Sequence, residues 1–294
     1  MNHLRFLRYV DEVARTGSIR QAAERLHVAA SAVNRRILDL EGELGTPIFE
    51  RLPRGMRLTA AGELFVHYIR QRTAALDQVR SEIEELQGLR RGKVRMVASQ
   101  ALAPVFLPAA IAAFRRGHPL VDFSARIGDH LQALHALRHF ESDLALVFNL
   151  APEPDIEVLA QVEQPLVAMM DATHPLAAER GPIRLREIAD YPVVLPFADI
   201  GGRQLLERHL LRASVRLRAA VESNSFEFLR GCLRHEQAVT FQIAIGAVTD
   251  GGTIVVRPIA DRGFPSGQLV LAHLRGRQLP VAVHAFAEAL VAAL

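Results

Sequence analysis

Three side chains in the first fifty residues are spaced to do hydrogen-bond chemistry together. They are Ser31, Asn34 and Arg35, within SIRQAAERLHVAASAVNRRI at residues 18–37. On a helix, positions 31, 34, 35 and 38 share one face, while Val33, Ile37, Leu40 and Leu44 repeat at 4-3-4 steps on the opposite one. A guanidinium can grip the O6/N7 edge of guanine with two parallel bonds, and a carboxamide can do the same for adenine. A polar face near a helix N-terminus is the geometry that reading a DNA major groove requires. A second group follows in IFERLPRGMRLT, where Arg51, Arg54 and Arg57 surround Pro53-Arg54-Gly55. Arginines at a turn tip suit phosphate or minor-groove contacts. Any one of them alone fits a solvated charged surface better; together with the helical face before them, DNA contact is the better reading.

These groups need elements to hold them. Leu4, Leu7, Val10, Val13 and Ala14 predict an amphipathic helix of about four turns, closed at Thr16-Gly17. Ser18 predicts an N-cap for a second helix, in which Ala22 and Ala23 are small enough for a close crossing. His27-Val28-Ala29 makes a turn, and the helix carrying Ser31, Asn34 and Arg35 follows. Two short apolar stretches around Pro53-Arg54-Gly55 predict a β-ribbon, or wing. A long helix then starts at Thr59-Ala60-Ala61-Gly62-Glu63 and reaches about Gln87. Phe65, Ile69, Leu76, Val79, Ile83 and Leu86 fall on a 4-3-4-3 frame interrupted at Arg72, a seam for pairing with a second copy. GLRRGK at residues 88–93 reads as a hinge.

The remaining two thirds alternate strand and helix. KVRMVAS, LVDFSARIG and SDLALVF read as strands separated by two helices, which implies a parallel sheet with ligands beyond the strands' carboxyl ends. IEVLAQVEQPLVAMM reads as two strands split near Glu163-Gln164. Further strands are expected at YPVVLPF, VRLRAAV, AVTFQ, TIVVRPI and LVLAHLRG, with a closing helix in VAVHAFAEALVAAL. The pattern suggests two α/β lobes with crossings near 161–165 and 264–268 and a cleft suited to a small ligand. The expected divisions are 1–59 (winged helix-turn-helix), 60–92 (linker helix and hinge) and 93–294. Within the last, lobe I spans 93–162 with 266–294, and lobe II spans 163–265.

Bulk properties narrow the classes. Half of the 294 residues are apolar and 23% are charged, a globular balance. Residues 1–92 carry 15 arginines against 12 acidic residues, whereas residues 93–294 balance at 20 each, so the excess of +3 lies in the first third. A polyanion partner would want it there. The apolar runs are too short for a membrane span, and MNHLRFLRYVDEVAR lacks a signal-peptide core, so a cytoplasmic location with no membrane partner is expected. The single cysteine, Cys232, reads as a buried structural thiol. His135 and His139 have a metal-compatible spacing without completing ligands, His235-Glu236 lacks a second histidine, and no nucleophile elbow, P-loop or dinucleotide fingerprint occurs. No enzyme, cofactor or metal is expected. A solute-binding or enzymatic α/β protein is the competing class, and it would need an export signal or a catalytic constellation.

The motifs AAERL, HV, S-A-V-N-R-R-I, L-E-x-E-L-G-x-P-I-F-E-R and L-T-x-A-G, in order over about fifty residues, resemble the DNA-binding domain of the LysR-type transcriptional regulators. Where many members have Ser-Gln-Pro at the start of the recognition helix, this chain has Ala29, Ala30 and Ser31, and a frequent serine is Asn34. The DNA-contact set is then Ser18, Ser31, Asn34, Arg35, Arg36, Arg51 and Arg54. The looser motifs F-R-x-x-H-P, D-L-A-L-V, H-P-L and G-R-Q-L-P resemble the family's effector domain, which has the type II periplasmic-binding-protein fold. By that resemblance the effector pocket involves Ser99, Gln100, Gly128, Phe148, Pro196, Phe197 and Phe241. Ser99 serves equally well as a plain helix cap or as part of a carboxylate site, and each phenylalanine alone fits a core position better. Arg203 fits either the cleft or the surface. The resemblance implies a regulator acting on double-stranded promoter DNA, responding to a small-molecule effector (a carboxylate among the candidates), contacting RNA polymerase, and assembling as a homodimer or homotetramer.

Overall fold

A computed structural model describes residues 2–53, 55–86, 91–198, 200–213 and 215–294. It divides into two compact units, residues 1–83 and 84–294. The first contains α1 (Asn2–Thr16), α2 (Ile19–Leu26), α3 (Ala30–Leu44), the ribbon β1 (Phe49–Leu52) and β2 (Gly55–Leu58), and the start of α4 (Ala60–Leu86). Its core joins Tyr9, Val10 and Val13 of α1 to Ala22 and Ala23 of α2, Val33 and Ile37 of α3, Ile48, Phe49, Val66 and Ile69. Ser18 caps α2 by accepting from the Gln21 amide. The turn into α3 uses His27 in the left-handed region at φ 54°, a conformation costing a non-glycine residue roughly 1–2 kcal/mol. Backbone bonds from the His27 and Val28 amides back to α2 carbonyls offset it.

The inward stripe of α3 is shorter than its sequence period suggests. Val33 and Ile37 are buried, but Leu44 is exposed beside the left-handed Gly45 that ends the helix. The seam of α4 also divides. Val66 and Ile69 are buried within the first unit and Phe65 packs against the same core, whereas Val79, Ile83 and Leu86 are exposed. One helix thus spends its first turns on its own domain and leaves its later apolar positions open.

The second unit is built on a sheet that has nine strands among the described residues. They are β3 (Arg91–Ala98), β4 (Leu120–Ile127), β5 (Leu144–Phe148), β6 (Ile156–Asp171), β7 (Pro192–Pro196), β8 (Arg218–Ser223), β9 (Val239–Ile243), β10 (Ile254–Pro258) and β11 (Ser266–Leu274). The order is β4-β3-β5-β11-β6-β9-β7-β8, with β10 also on β6. β3 pairs in parallel with β4 and β5, and β7 with β8 and β9. Helices α5 (Phe106–Gly117), α6 (His130–Arg138), α7 (Leu185–Ile188), α8 (Gly201–Leu210), α9 (Phe226–Leu233) and α10 (Val281–Ala293) complete the unit.

β6 is a single 16-residue strand rather than the two expected from its sequence. It pairs with β11 as far as Pro165, and with β9 and β10 from Leu166 and Val167 onward. The apparent break is an exchange of neighbours: proline, lacking an N–H, sits where one ladder ends and the next begins. Buried Asp143 ties this unit together. It receives Arg95 through Nη2 at 2.8 Å, the Arg95 backbone amide at 2.9 Å, and the guanidinium of Arg277 beyond β11. Cys232 is half-buried against a small apolar cluster with Leu229 and Leu233.

Candidate nucleic-acid interface and ligand cleft

In the first unit, Ala29, Ala30, Ser31, Ala32, Arg35 and Leu38 are exposed. The α3 N-cap is Ala29, which supplies no side-chain bond, and the amides of Ala32 and Val33 return to its carbonyl. Asn34 is half-buried, and its Oδ1 accepts a 2.7 Å bond from Nη2 of Arg51 on β1. Arg36 turns the other way: its guanidinium lies 4.1 Å from the centre of the Phe6 ring and 3.8 Å from Asp39. Ser18 is half-buried at the start of α2, and Arg54 lies outside the described residues. Arg57 bonds to Glu50 through Nε and Nη2, at 3.2 and 2.7 Å; that hydrogen bond, with the attraction of the carboxylate, raises its pKa.

The ribbon is anchored at both ends. The Glu41 carboxylate accepts from the Ile48 amide at 2.8 Å and the Phe49 amide at 3.1 Å, fixing the entry to β1 from α3. At the other strand, the Met56 amide donates to Gly17 O at 2.8 Å. Gly55, at φ 119°, brings its Cα so near that a Cβ would lie 2.6 Å from that same carbonyl, so both the close approach and the backbone angle require glycine. Asp11 of α1 receives Arg70 of α4 at 2.6 Å and Arg15 at 2.9 Å, joining the long helix to the first one.

In the second unit a cavity of about 330 Å³ is walled by Ser99, Gln100, Gly128 and Phe148 on one side, with Gly201, Gly202, Asn224, Phe226, Phe241 and Gln242 among the other lining residues. Five of the seven sequence-derived pocket residues meet here. Pro196 and Phe197 do not line it: Pro196 is buried, with its carbonyl accepting from Arg203, and Phe197 is exposed. Arg203 is engaged elsewhere, with Glu207 at 2.6 Å and Glu222 at 2.9 Å.

Ser99 neither caps a helix nor starts one long enough to hold an anion. A three-residue 3-10 turn follows it, and its hydroxyl accepts from the Phe148 amide at 3.3 Å, joining the ends of β3 and β5. Gln100 reaches across to α9, where Oε1 accepts from the Phe226 amide at 3.1 Å. Ser225 caps the same helix by accepting from the Phe228 amide. α8 begins at Gly201-Gly202 behind Ile200, with no side-chain cap. Gly201, Gly202, Asn224 and Gln242 escaped the sequence reading, although a glycine pair opening a helix after a strand is a visible signal. Among the described lining residues there is no Arg or Lys, and the titratable ones are Asp129 and His130. The wall therefore offers mainly amide and hydroxyl groups, with the Asp129 carboxylate, which caps α6 by accepting from the Gln132 amide at 2.8 Å, at its edge. A neighbouring cavity of about 390 Å³ shares Gln100, Ile127, Phe226, Phe241 and Gln242.

No described helix is long and apolar enough to cross a membrane. The family described as "LysR substrate binding domain" matches residues 87–294, and "Bacterial regulatory helix-turn-helix protein, lysR family" matches residues 4–63. The chain is 26% identical to the HTH-type transcriptional activator CmpR of Synechocystis over 95% of its length and 92% of that protein's. Its fold is similar to that of full-length CbnR complexed with target DNA, with a TM-score of 0.67, 19% identity and 99% of both chains covered. It is also similar to the effector-binding domain of QuiR in complex with shikimate, with a TM-score of 0.58, 20% identity, and 69% of this chain and 97% of that one covered.

Proposed function

The chain belongs to the LysR family of bacterial helix-turn-helix regulators, and on that premise we infer that it binds double-stranded promoter DNA through α3 and the β1–β2 ribbon under control of a small molecule held in the second unit. The observation that carries this reading is the exposed face of α3, Ser31 and Arg35 with the wing's Arg51 against Asn34, on a unit whose core is complete without it. Base readers are assigned to Ser31, Asn34 and Arg35, and backbone contacts to Arg51 and Arg54, with Ser18 and Arg36 at the margins of the contact set. CbnR was crystallised with its target DNA, and the same use of the fold is inferred for this chain.

Residues 1–59 are assigned to DNA, 60–92 to dimerisation and linkage, and 93–294 to the effector, with lobe I at 93–162 and 266–294 and lobe II at 163–265. Exposed Val79, Ile83 and Leu86 on α4 support pairing with a second copy, extended to a tetramer through the effector domains. The effector site is placed at Ser99, Gln100, Gly128, Phe148 and Phe241. QuiR's domain holds shikimate, a carboxylate, and the uncapped amides at Gly201-Gly202 would suit such a group here. The effector acts by favouring one placement of the subunits over another, changing DNA bending and contact with RNA polymerase. A cytoplasmic location and the lack of a catalytic role follow from the same reading.

Arg35→Ala tests it. Binding to a promoter site should fall at least tenfold more than binding to random duplex DNA of equal length. Equal losses on both would remove Arg35 from base reading, and absence of any promoter binding by the purified wild-type chain would sink the assignment.

A further inference from the structure

We propose that the Gln100 side chain is a movable partition in the effector site, and that the site takes a carboxylate whose hydrocarbon tail is long enough to displace it. The inference rests on the effector-site reading above and names the class of ligand that site accepts. The cavities of about 330 and 390 Å³ share Gln100, Ile127, Phe226, Phe241 and Gln242, so these residues stand between them. A hydrogen bond joins two of the five across the boundary. Gln100, just beyond β3, accepts through Oε1 from the Phe226 amide at the start of α9, at 3.1 Å. An amide N–H needs an acceptor, so the oxygen end of the carboxamide faces it.

The two sides of this partition differ in chemistry. The smaller cavity has Ser99, Asn224 and the uncapped start of α8 at Gly201-Gly202, which suit a carboxylate. The larger one is walled by Ala103, Pro104, Met169, Leu229 and Val248. Its polar side chains have partners within the protein. Thr240 Oγ1 donates to Val194 O at 2.6 Å, Gln242 Oε1 accepts from the Ile243 amide at 2.9 Å, and Arg230 pairs with Glu227. What it offers a ligand is mainly apolar surface. The backbone carrying Gln100 is held in place. The Ser99 amide donates to Leu146 O at 3.0 Å and the Ala103 amide to Gln100 O at 3.1 Å, and Gly246 packs so near that a Cβ on it would lie 2.6 Å from Ala101 O. Opening the partition is therefore a side-chain rotation that gives up one neutral hydrogen bond. Phe226 is half-buried, so water can replace the lost acceptor. That cost is small against the burial of a hydrocarbon tail. Gln100 thus sets which tail lengths the site admits.

The test is ligand-observed NMR titration of the full-length protein with sodium butyrate and sodium octanoate, two carboxylates that differ only in the tail. The readout is the ratio of octanoate affinity to butyrate affinity, in the wild type and three variants. Gln100→Ala removes the partition and should raise the ratio about tenfold. Gln100→Glu keeps an acceptor on the Phe226 amide and strengthens it with charge, and that charge acts on both probes alike. Its ratio should stay at or below the wild-type value. Ala103→Leu fills part of the larger cavity at a position that does not line the smaller one, and should lower the ratio about tenfold. A merely structural role for Gln100 would move both affinities together and leave the ratio unchanged, and that result overturns the proposal. So does a ratio indifferent to Ala103→Leu, which would put the tail elsewhere. If butyrate binds and the ratio stays flat throughout, the effector site stands and the partition falls. If neither probe binds the wild type or Gln100→Ala, the placement of the effector site fails with it.

Discussion

Gly62→Ala should destabilise the DNA-binding unit by a route that can be calculated. A Cβ at Gly62 would lie 2.0 Å from Ile48 O and 3.0 Å from Leu58 Cδ2. Contacts under 3.0 Å are essentially never seen for real Cβ atoms, so the Ile48 carbonyl must retreat by ~1 Å or α4 must lift away. That carbonyl accepts from Thr59 N at 3.0 Å and Thr59 Oγ1 at 3.2 Å, and the neighbouring Ile48 amide is held by Glu41. Overpacking of this kind costs about 1–3 kcal/mol, and each weakened hydrogen bond adds about 1 kcal/mol. Alanine's better helix propensity returns about 1 kcal/mol. The net loss is about 2–4 kcal/mol, a large share of the stability of a domain this size. Gly42 supplies the control: it is exposed inside α3, and a Cβ added there would meet nothing within 4 Å, so Gly42→Ala should stabilise the same unit by about 0.5–1 kcal/mol. Hydrogen exchange of the buried α1 and α3 amides, followed by mass spectrometry, reads both. Two changes of the same sign, or a cost below about 1 kcal/mol at Gly62, would refute the reasoning.

Other outcomes follow from buried charges and histidines. Arg70→Met leaves Asp11 with Arg15 as its remaining ion-pair partner among those described, and a loss of about 2–4 kcal/mol in the first unit is expected, smaller than for a fully orphaned charge; chemical denaturation should show it, and an unchanged midpoint would count against the network. Asp143→Asn strips the shared counter-charge from Arg95 and Arg277, so the second unit should lose about 3–5 kcal/mol while the first melts as before. Burial lowers the pKa of His174 and His273. Both fold as neutral rings, so their contribution is complete above the unfolded value of about 6.5 and declines as pH falls below it toward their lowered folded values. Melting temperature should be flat above about pH 7 and drop below about 6.5. His174→Asn, which keeps an acceptor for the Leu176 amide, should flatten that drop, and an unaltered slope would exclude His174 as a contributor.

The first unit was legible where local chemistry decides structure. Ser18 as a cap, Ala22 and Ala23 at a crossing, and an antiparallel ribbon on either side of Pro53 each depend on a few neighbouring residues, and the structure repeats them. Periodicity could not tell which apolar positions of α4 face its own domain, because Ile69 and Ile83 look alike in sequence and differ only in what lies beside them. The Asn34–Arg51 bond was beyond reach for the same reason: two residues seventeen apart meet through the ribbon's path. In the cleft, Ser99 and Phe148 could be placed at strand ends by pattern, but Phe197 could not be assigned inward or outward from sequence. The split expected near Glu163-Gln164 falls close to a real boundary: the ladder with β11 ends at Pro165, yet the strand continues because a different partner takes over.

The position of β11 has a consequence for biosynthesis. This strand lies between β5 and β6, pairing Leu269 with Phe148 on one side and Leu274 with Ile156 on the other. The middle of the sheet is therefore the last strand to leave the ribosome. Until then β5 lacks its inner neighbour and the Ile156–Pro165 half of β6 is an open edge, an invitation to pair with other chains. The helical first unit, whose contacts close within the first 83 residues, can fold long before. A chain cut short before residue 266 would carry a finished reading head on an unfinished sensor.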